Sequence, residues 1–517
     1  MRKITILWVD DEMELLKPHI LFLEDKGFRV VTATNGDDAI HINNTIPVDL
    51  IFLDENMPGM SGLETLRALK LIKPNVPVIM ITKSEEEDIM DKALGSKISD
   101  YLIKPVNPNQ ILLTIKKHID SQRLVSETTD SDYRAEFSNL TGLINSAQTI
   151  ESWKEVYSRL VYWEIEIAES TEQGMEEILR MQKAEANQGF TRFIKTNYNN
   201  WFDEKNAGMP LLSPNVFRDK VFPIVNAGNK AVLILIDNLR LDQWRIIYRQ
   251  ISDFYSIDID ELYCGILPSV TQYARNSLFA GLMPMEIEDF FPDLWINDDE
   301  DETKNQYEEE LLRKQMQRHG KGGRLYYEKI NNQRAGKKLV ENYKNLLSYD
   351  LSVLVFNFVD VLSHSRTDME VIRELAGDEA AYRSLTLSWF QHSSLYELIK
   401  LLAGQNIKLI ITTDHGSIRV FNPVRVIGDK KTSSNLRYKL GRNLNYNPKE
   451  VFEIRQPGRV HLPRINLTSS YIFACNNDFL VYPNNYNHFA NFYRNTFQHG
   501  GISMEELLIP IAVLSPK

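Results

Sequence analysis

Short apolar runs alternate with helically spaced segments over residues 1 to about 120. KITILWV, RVVTA, VDLIFLD, VPVIMIT and SDYLIK are of strand length, and helical spacing fills the stretches between them. Regular alternation of this kind predicts a parallel sheet, whose functional groups gather at the carboxyl ends of its strands. From about 121 to 206 the period changes. Trp153, Val156, Leu160, Trp163 and Ile167 recur every three or four residues, Met175, Ile178 and Met181 repeat the spacing, and no proline falls between Pro108 and Pro210. This predicts antiparallel helices whose apolar stripes are core rather than a cofactor box. From about 207 onward strands return as KAVLILID, LSVLVFNFVD, KLIITTD and ELLIPIAVL, which predicts a second, larger α/β unit. The expected organisation is therefore 1–120, 121–206 and 207–517.

Composition narrows the class. A chain of 517 residues, 43% of them hydrophobic, has the length of about three domains, each able to bury an ordinary core. A net charge of −11 argues against coating nucleic acid by bulk electrostatics, though not against a local basic groove. The two cysteines, Cys264 and Cys475, are far apart. They make neither a disulfide framework nor a thiolate zinc site, and fit a reducing compartment. The opening MRKITILWVDDE has too short an apolar run for a signal peptide, and no stretch approaches the roughly 18–20 apolar residues of a membrane span. A cytoplasmic protein is expected.

Chemistry concentrates at the strand ends. In the first unit Asp10 and Asp11 end the first strand, Asp54 the third, Thr82 the fourth and Lys104 the fifth, before Pro105. Three carboxylates converging on one crevice suit a hard divalent ion such as magnesium. A lysine and a hydroxyl beside them suit a phosphoryl group on a carboxylate. The DD pair, D-x-x-M-P-x-x-x-G, strand-end Thr and K-P pair, in that order, resemble the receiver domains of two-component response regulators. The resemblance implies a flavodoxin-like fold with Asp54 as phosphoacceptor. It implies Mg2+ held by Asp11, Asp54 and the carbonyl of Asn56, with Asp10 acting through water. Thr82 and Lys104 would contact the phosphoryl group, and Tyr101 would be the aromatic switch. It further implies a sensor histidine kinase as partner and a homodimer on phosphorylation. Lys83 departs from the pattern, since that position is more often small.

In the second α/β unit Asp237 closes AVLILID, Asp360 closes LSVLVFNFVD with His364 four residues on, Asp414 and His415 close KLIITTD, and His499 precedes Gly500-Gly501. Three aspartates and three histidines are enough for two ions, and nitrogen and oxygen donors without sulfur suit zinc, with manganese as the alternative. Thr271 opens the helical segment TQYARNSLFAG after Pro268, where backbone N–H groups favour an alkoxide and a bound phosphate. The order Asp, Thr, Asp-x-x-x-His, Asp-His, late His resembles the alkaline phosphatase superfamily, nearest its PglZ branch. Joined to a receiver, the whole chain resembles the PorX-type response regulators.

That resemblance implies a helical spacer and an alkaline-phosphatase-like α/β domain. One metal site would comprise Asp360, His364 and His499, the other Asp237, Asp414 and His415, with Thr271 the nucleophile between two Zn2+ (or Mn2+). Thr271 rather than serine points to diester or nucleotide hydrolysis, and the resemblance as a whole implies a phosphorylation-controlled phosphodiesterase acting on short or cyclic oligonucleotides and serving type IX secretion. The competing reading is a non-catalytic regulator that binds an extracytoplasmic-function sigma factor through the PglZ domain. Two charged islands remain. Residues 286–302 carry nine acidic groups and no basic one, and residues 419–464 carry eleven Lys/Arg against three Asp/Glu. Lys430, Lys431, Arg437 and Lys439, with Tyr438 and Tyr446 to stack on bases, are candidates to recruit an oligonucleotide. The alternative is a solvated charged loop.

Overall fold

The computed structural model describes residues 3–517 except 74–75, 83–97, 116–117, 119–120, 170–174, 204–207, 298–303, 322, 369–376, 429–431, 465 and 467. The chain forms two compact units that meet in sequence at Tyr133 and Arg134. The first unit contains β1 (Thr5–Val9), β2 (Arg29–Ala33), β3 (Leu50–Asp54), β4 (Val78–Thr82) and β5 (Asp100–Ile103). All five are parallel, in the order β2-β1-β3-β4-β5, which is the doubly wound flavodoxin-like order. Alternate residues feed opposite cores. Leu7, Val9, Ile51 and Leu53 pack on one face, and Ile6, Trp8, Leu50 and Phe52 on the other. Burial on both faces is why these strands read as unbroken apolar runs. Past the Asp54 loop, Ser61 and Glu64 form a reciprocal capping box that starts the helix Gly62–Ile72 and fixes where the loop ends.

The helices of the middle region are Ser121–Ser146, Ile150–Glu169 and Met175–Asn197. Trp153, Val156, Leu160 and Ile167 are buried as their spacing predicts. The second stripe is not the expected one, because Ile178 and Met181 are 38% and 66% exposed. The buried face is instead Leu179, Gln182, Ala186, Phe190 and Ile194. Periodicity missed it because polar residues bury when they find partners. Gln182 donates to the Phe137 carbonyl and to Thr141, and Asn187 donates to Glu505 while accepting from Met504 N. Lys183 sits between Glu164 at 2.8 Å, Glu505 at 3.2 Å and Glu379 at 3.7 Å. Burial works against its ammonium, but the three carboxylates hold its pKa well above the usual lysine value. These contacts tie Ile150–Glu169 and Met175–Asn197 into the α/β part of the second unit.

That α/β part contains β6 (Ala231–Ile236), β7 (Tyr255–Cys264), β8 (Leu325–Ile330), β9 (Leu351–Phe356) and β10 (Lys408–Thr412). There follow β11 (Ile418–Val420), β12 (Asn422–Arg425), β13 (Tyr438–Gly441) and β14 (Val451–Ile454). The last are β15 (Ser470–Ala474), β16 (Asp478–Val481), β17 (Thr496–Gln498) and β18 (Leu508–Pro516). The main sheet has the order β7-β18-β10-β6-β9-β8, with β18 antiparallel to both neighbours and the rest parallel. The two strands that no apolar run announces, β7 (YSIDIDELYC) and β8 (LYYEKI), are its edges, where charged side chains are tolerated and protective. The basic island is not a loop. Its residues supply β11 to β14, paired with β15, β16 and β17. Among the described residues no helix is long and apolar enough to cross a membrane.

Candidate phosphoacceptor and metal centres

At the carboxyl edge of the first sheet, ligand atoms of Asp10, Asp11 and Asp54 lie within 4.8 Å of one another. The Lys104 ammonium stands 2.8 Å from Asp10 and 3.0 Å from Asp54. Burial raises the Asp54 carboxyl, and the negative charges of Asp10 and Asp11 add to that rise against the pull of Lys104. Burial works against the Lys104 charge, yet its hydrogen bonds to Asp10 and Asp54 hold its pKa above the usual value. A bound cation would relieve the crowding of the three acids. Thr82 donates to Glu55, a partner that the sequence reading did not name. Asn56 is exposed beside Asp54, and Tyr101 is 37% exposed. Lys83 lies outside the described residues.

In the second unit the donors gather at the carboxyl ends of β6, β9 and β10. Asp237 follows β6 directly, and Asp414 and His415 come two and three residues after β10. Asp360 departs from its expected place. It does not close a strand but lies in the first turn of the helix Phe358–Asp368, which also carries His364 one turn on. The i, i+4 spacing aims both side chains the same way. Asp237, Asp414 and His415 offer ligand atoms within 4.8 Å of one another, as do Asp360, His364 and His499. The two sets adjoin, because the His415 and His499 rings stack with centroids 4.3 Å apart.

Two glycines permit this geometry. A Cβ on Gly416 would come within 2.1 Å of the Glu505 carbonyl oxygen, so D-H-G needs its glycine for close backbone approach. Gly500, directly after His499, has φ +122°, and its N–H donates to Ser269.

Thr271 is the first residue of the helix Thr271–Ala280. Its hydroxyl lies 3.1 Å from His415 Nε2, while His415 Nδ1 lies 3.2 Å from the Gly416 carbonyl. A carbonyl only accepts, so Nδ1 carries a proton, and Nε2 is the nitrogen that faces Thr271 and would ligate an ion. Burial first, then the neighbouring His415 and His364, hold His499 well below the usual histidine pKa, so it is a neutral, ligand-ready imidazole.

Two site residues escaped the sequence reading. Arg275 is 1% exposed and pairs with Asp237, with Asp414 at 2.9 Å and with Glu308 at 3.4 Å. Its signal was the Thr271/Arg275 spacing, one helical turn on the same face. Burial alone would raise the Asp414 carboxyl, but Arg275 and His415 hold it well below the carboxylate range. At Asp237 burial wins over Arg275 and the carboxyl is pushed well above it. Asn238, left-handed at φ +63°, donates from Nδ2 to Asp360 at 3.3 Å and from its backbone to Asp414 at 3.5 Å. It thus braces both donor sets. The donors fit divalent zinc or manganese. They are oxygens and imidazole nitrogens without sulfur, and buried Asp237 Oδ1 has no hydrogen-bond partner among the described residues.

The basic-island assignment is corrected. Arg437 and Lys439 are 0% and 1% exposed and Tyr438 4%, so none can meet an oligonucleotide at the surface. Arg437 has a structural role: it pairs with Glu506 at 2.6 Å and donates to the Asp478 carbonyl. Lys430 and Lys431 lie outside the described residues. Because a buried cation losing its partner is costly, Glu506→Ala should lower unfolding free energy by about 3–5 kcal/mol, read by urea denaturation. A change below about 1 kcal/mol would put Arg437 with surface ion pairs.

Three family descriptions match the chain: a response regulator receiver domain over residues 6–116, a PorX response regulator linker domain over 123–202, and a BREX system PglZ alkaline phosphatase-like domain over 216–514. Curated relatives share the receiver. The cell cycle transcriptional regulator CtrA of Caulobacter vibrioides is 31% identical over 110 residues, 21% of this chain and 48% of that protein. The transcriptional regulatory protein ResD of Bacillus subtilis is 35% identical over 111 residues, 22% of this chain and 46% of that one. The chain thus spans about half the length of the curated relatives it matches. Among solved structures, Vibrio cholerae chemotaxis protein CheY4 aligns with a TM-score of 0.22 and 27% identity, covering 23% of this chain and 100% of that one. A receiver domain protein from Clostridium thermocellum aligns with a TM-score of 0.22 and 31% identity, covering 23% and 98%. With more than half its length matching the PglZ description and a receiver and linker matching ahead of it, the chain belongs to the PglZ alkaline phosphatase-like family, in the PorX-type architecture of a response regulator.

Proposed function

We propose that this response regulator is a phosphorylation-controlled phosphodiesterase, acting on short or cyclic oligonucleotides. The observation that carries the reading is the Thr271 hydroxyl, at a helix N-terminus, 3.1 Å from His415 Nε2 beside two adjoining donor triads. Two divalent ions held by Asp237, Asp414 and His415 and by Asp360, His364 and His499 would supply Lewis-acid stabilisation of the attacking and leaving oxygens. Thr271 Oγ1 attacks phosphorus in line as its proton passes to solvent, the leaving oxygen takes a proton from solvent and departs as the alcohol, and water then cleaves the phosphothreonine, restoring the Thr271 hydroxyl and releasing a phosphomonoester. Arg275 holds Asp237 and Asp414 in position, and Asn238 braces Asp360 against them. The test is metal analysis together with turnover on phosphomonoesters, diesters and cyclic oligonucleotides. About two zinc or manganese ions per chain and a preference for diesters are expected. Protein that cannot be loaded with either metal would overturn the reading.

In the receiver, Asp54 accepts a phosphoryl group from a sensor histidine kinase, with Mg2+ held by Asp11, Asp54 and the Asn56 carbonyl. Thr82 leaves Glu55 for the phosphoryl group and Tyr101 turns inward, favouring a homodimer, with type IX secretion as the process controlled. A few kcal/mol of discrimination between the two receiver states suffices for a useful shift. A small phosphodonor with magnesium should raise the mass seen by light scattering toward a dimer, and Asp54→Ala should abolish the response. An equal response in that variant would move phosphorylation elsewhere.

A further inference from the structure

Lys439, unsuited to meeting an oligonucleotide, lines a cavity of about 520 Å³ whose walls include Leu436, Leu480, Val481, Tyr482 and Phe489. That is an ordinary small-ligand volume. None of the six candidate metal donors lines it. The Lys439 side chain is 1% exposed. Its ammonium donates to the Ser433 carbonyl at 3.2 Å and lies 4.4 Å over the Tyr482 ring, but among the described residues no carboxylate pairs with it. An ammonium buried with one carbonyl and an aromatic face is costly to keep, and a methionine of similar length would fill the same volume without that cost.

We propose that this cavity is a second ligand site of the effector, taking a small organic monoanion. The ligand's carboxylate or sulfonate would meet Lys439 and its apolar body would pack on Leu436, Leu480 and Phe489. One cation on an otherwise largely apolar wall selects one anionic group and a hydrophobic remainder, not a polyphosphate. Burial alone holds the free Lys439 amine down to about 7, and an anion beside it would restore the charge. The site lies on the strand that carries Tyr438, whose ring meets Tyr273 of the Thr271 helix edge-on at 6.0 Å, so an occupant is one strand away from the proposed nucleophile's helix.

The test uses the full-length protein and two dyes, anionic 8-anilinonaphthalene-1-sulfonate and its uncharged analogue N-phenyl-1-naphthylamine, titrated by fluorescence and calorimetry. Lys439→Met should weaken the sulfonate by about tenfold or more, the scale of a lost charged hydrogen bond, while leaving the neutral dye within about twofold. It should also raise the melting temperature, because an uncompensated charge is gone. Ser434→Trp, at an exposed position on the cavity wall, should exclude both dyes. The proposal fails if the sulfonate binds Lys439→Met as well as wild type, if Ser434→Trp leaves binding unchanged, or if Lys439→Met is destabilised, which would mean that the Ser433 carbonyl and the Tyr482 ring already satisfy the amine.

Discussion

Thr271→Val should abolish phosphodiester hydrolysis and leave the metal content intact. Valine keeps the branched shape at the first position of the helix Thr271–Ala280 and deletes only the hydroxyl that faces His415 Nε2 at 3.1 Å. Removing a nucleophile from a hydrolase whose other groups persist costs on the order of 10⁴-fold or more in kcat. None of the six donors is altered, so plasma mass spectrometry should find the same metal per chain as in wild type. Trapping of a phosphothreonine by rapid acid quench should succeed in wild type and fail in the variant. Turnover retained within about tenfold would mean that water attacks directly and that Thr271 only shapes the helix start.

Arg275→Met should destabilise the second unit strongly, and the loss should depend on metal and pH. Arg275 pairs with Asp237, Asp414 and Glu308, and all four side chains are at most 3% exposed. Without the guanidinium, metal-free protein holds buried carboxylates with too little positive charge. Breaking one buried pair costs about 3–5 kcal/mol, and here three contacts go at once. The sign of the pH effect follows from proton counting. Asp237 is already pushed above the carboxylate range by burial, and Arg275 is what opposes it there and holds Asp414 down. In the variant both carboxyls rise, so the native state binds more protons than the unfolded state. Stability then falls as pH rises through the folded pKa values and recovers as pH is lowered toward the unfolded ones. Wild type should show only the share of this recovery that its raised Asp237 contributes, because Asp414 stays depressed. Zinc should restore much of the loss at neutral pH, because ligand bound only to the native state stabilises it. A variant equally destabilised from pH 5 to 8, with or without zinc, would show that Arg275 acts through packing alone.

Much of this was legible from sequence because the residues concerned answer to local rules. Strands buried on both faces announce themselves as apolar runs, as β1, β3, β6, β9 and β10 do, and acids or hydroxyls placed just after such runs must fall on one sheet edge. This is how Asp10, Asp54, Thr82 and Lys104 could be grouped, and likewise Asp237, Asp414 and His415. Thr271 as a helix start followed from Pro268 and the apolar spacing after it. The tertiary structure decided what local pattern cannot carry. Edge strands β7 and β8 have no apolar run, since one side of an edge meets solvent. The buried face of Met175–Asn197 runs through Gln182 and Asn187, because their partners lie in other elements.

The charge of a side chain likewise says nothing about its address. Arg437 and Lys439 belong to a basic stretch, yet one is an interior partner of Glu506 and the other walls a cavity. Arg275 looked like a helix residue and is the cation between two candidate metal ligands. A charged group can be buried wherever the fold supplies a counter-charge or a hydrogen bond, and those partners lie far away in sequence, 139 residues for Arg275 and Asp414. Sequence therefore determined which groups reach the two sheet edges, and the packing of distant elements determined which charges remain there to act.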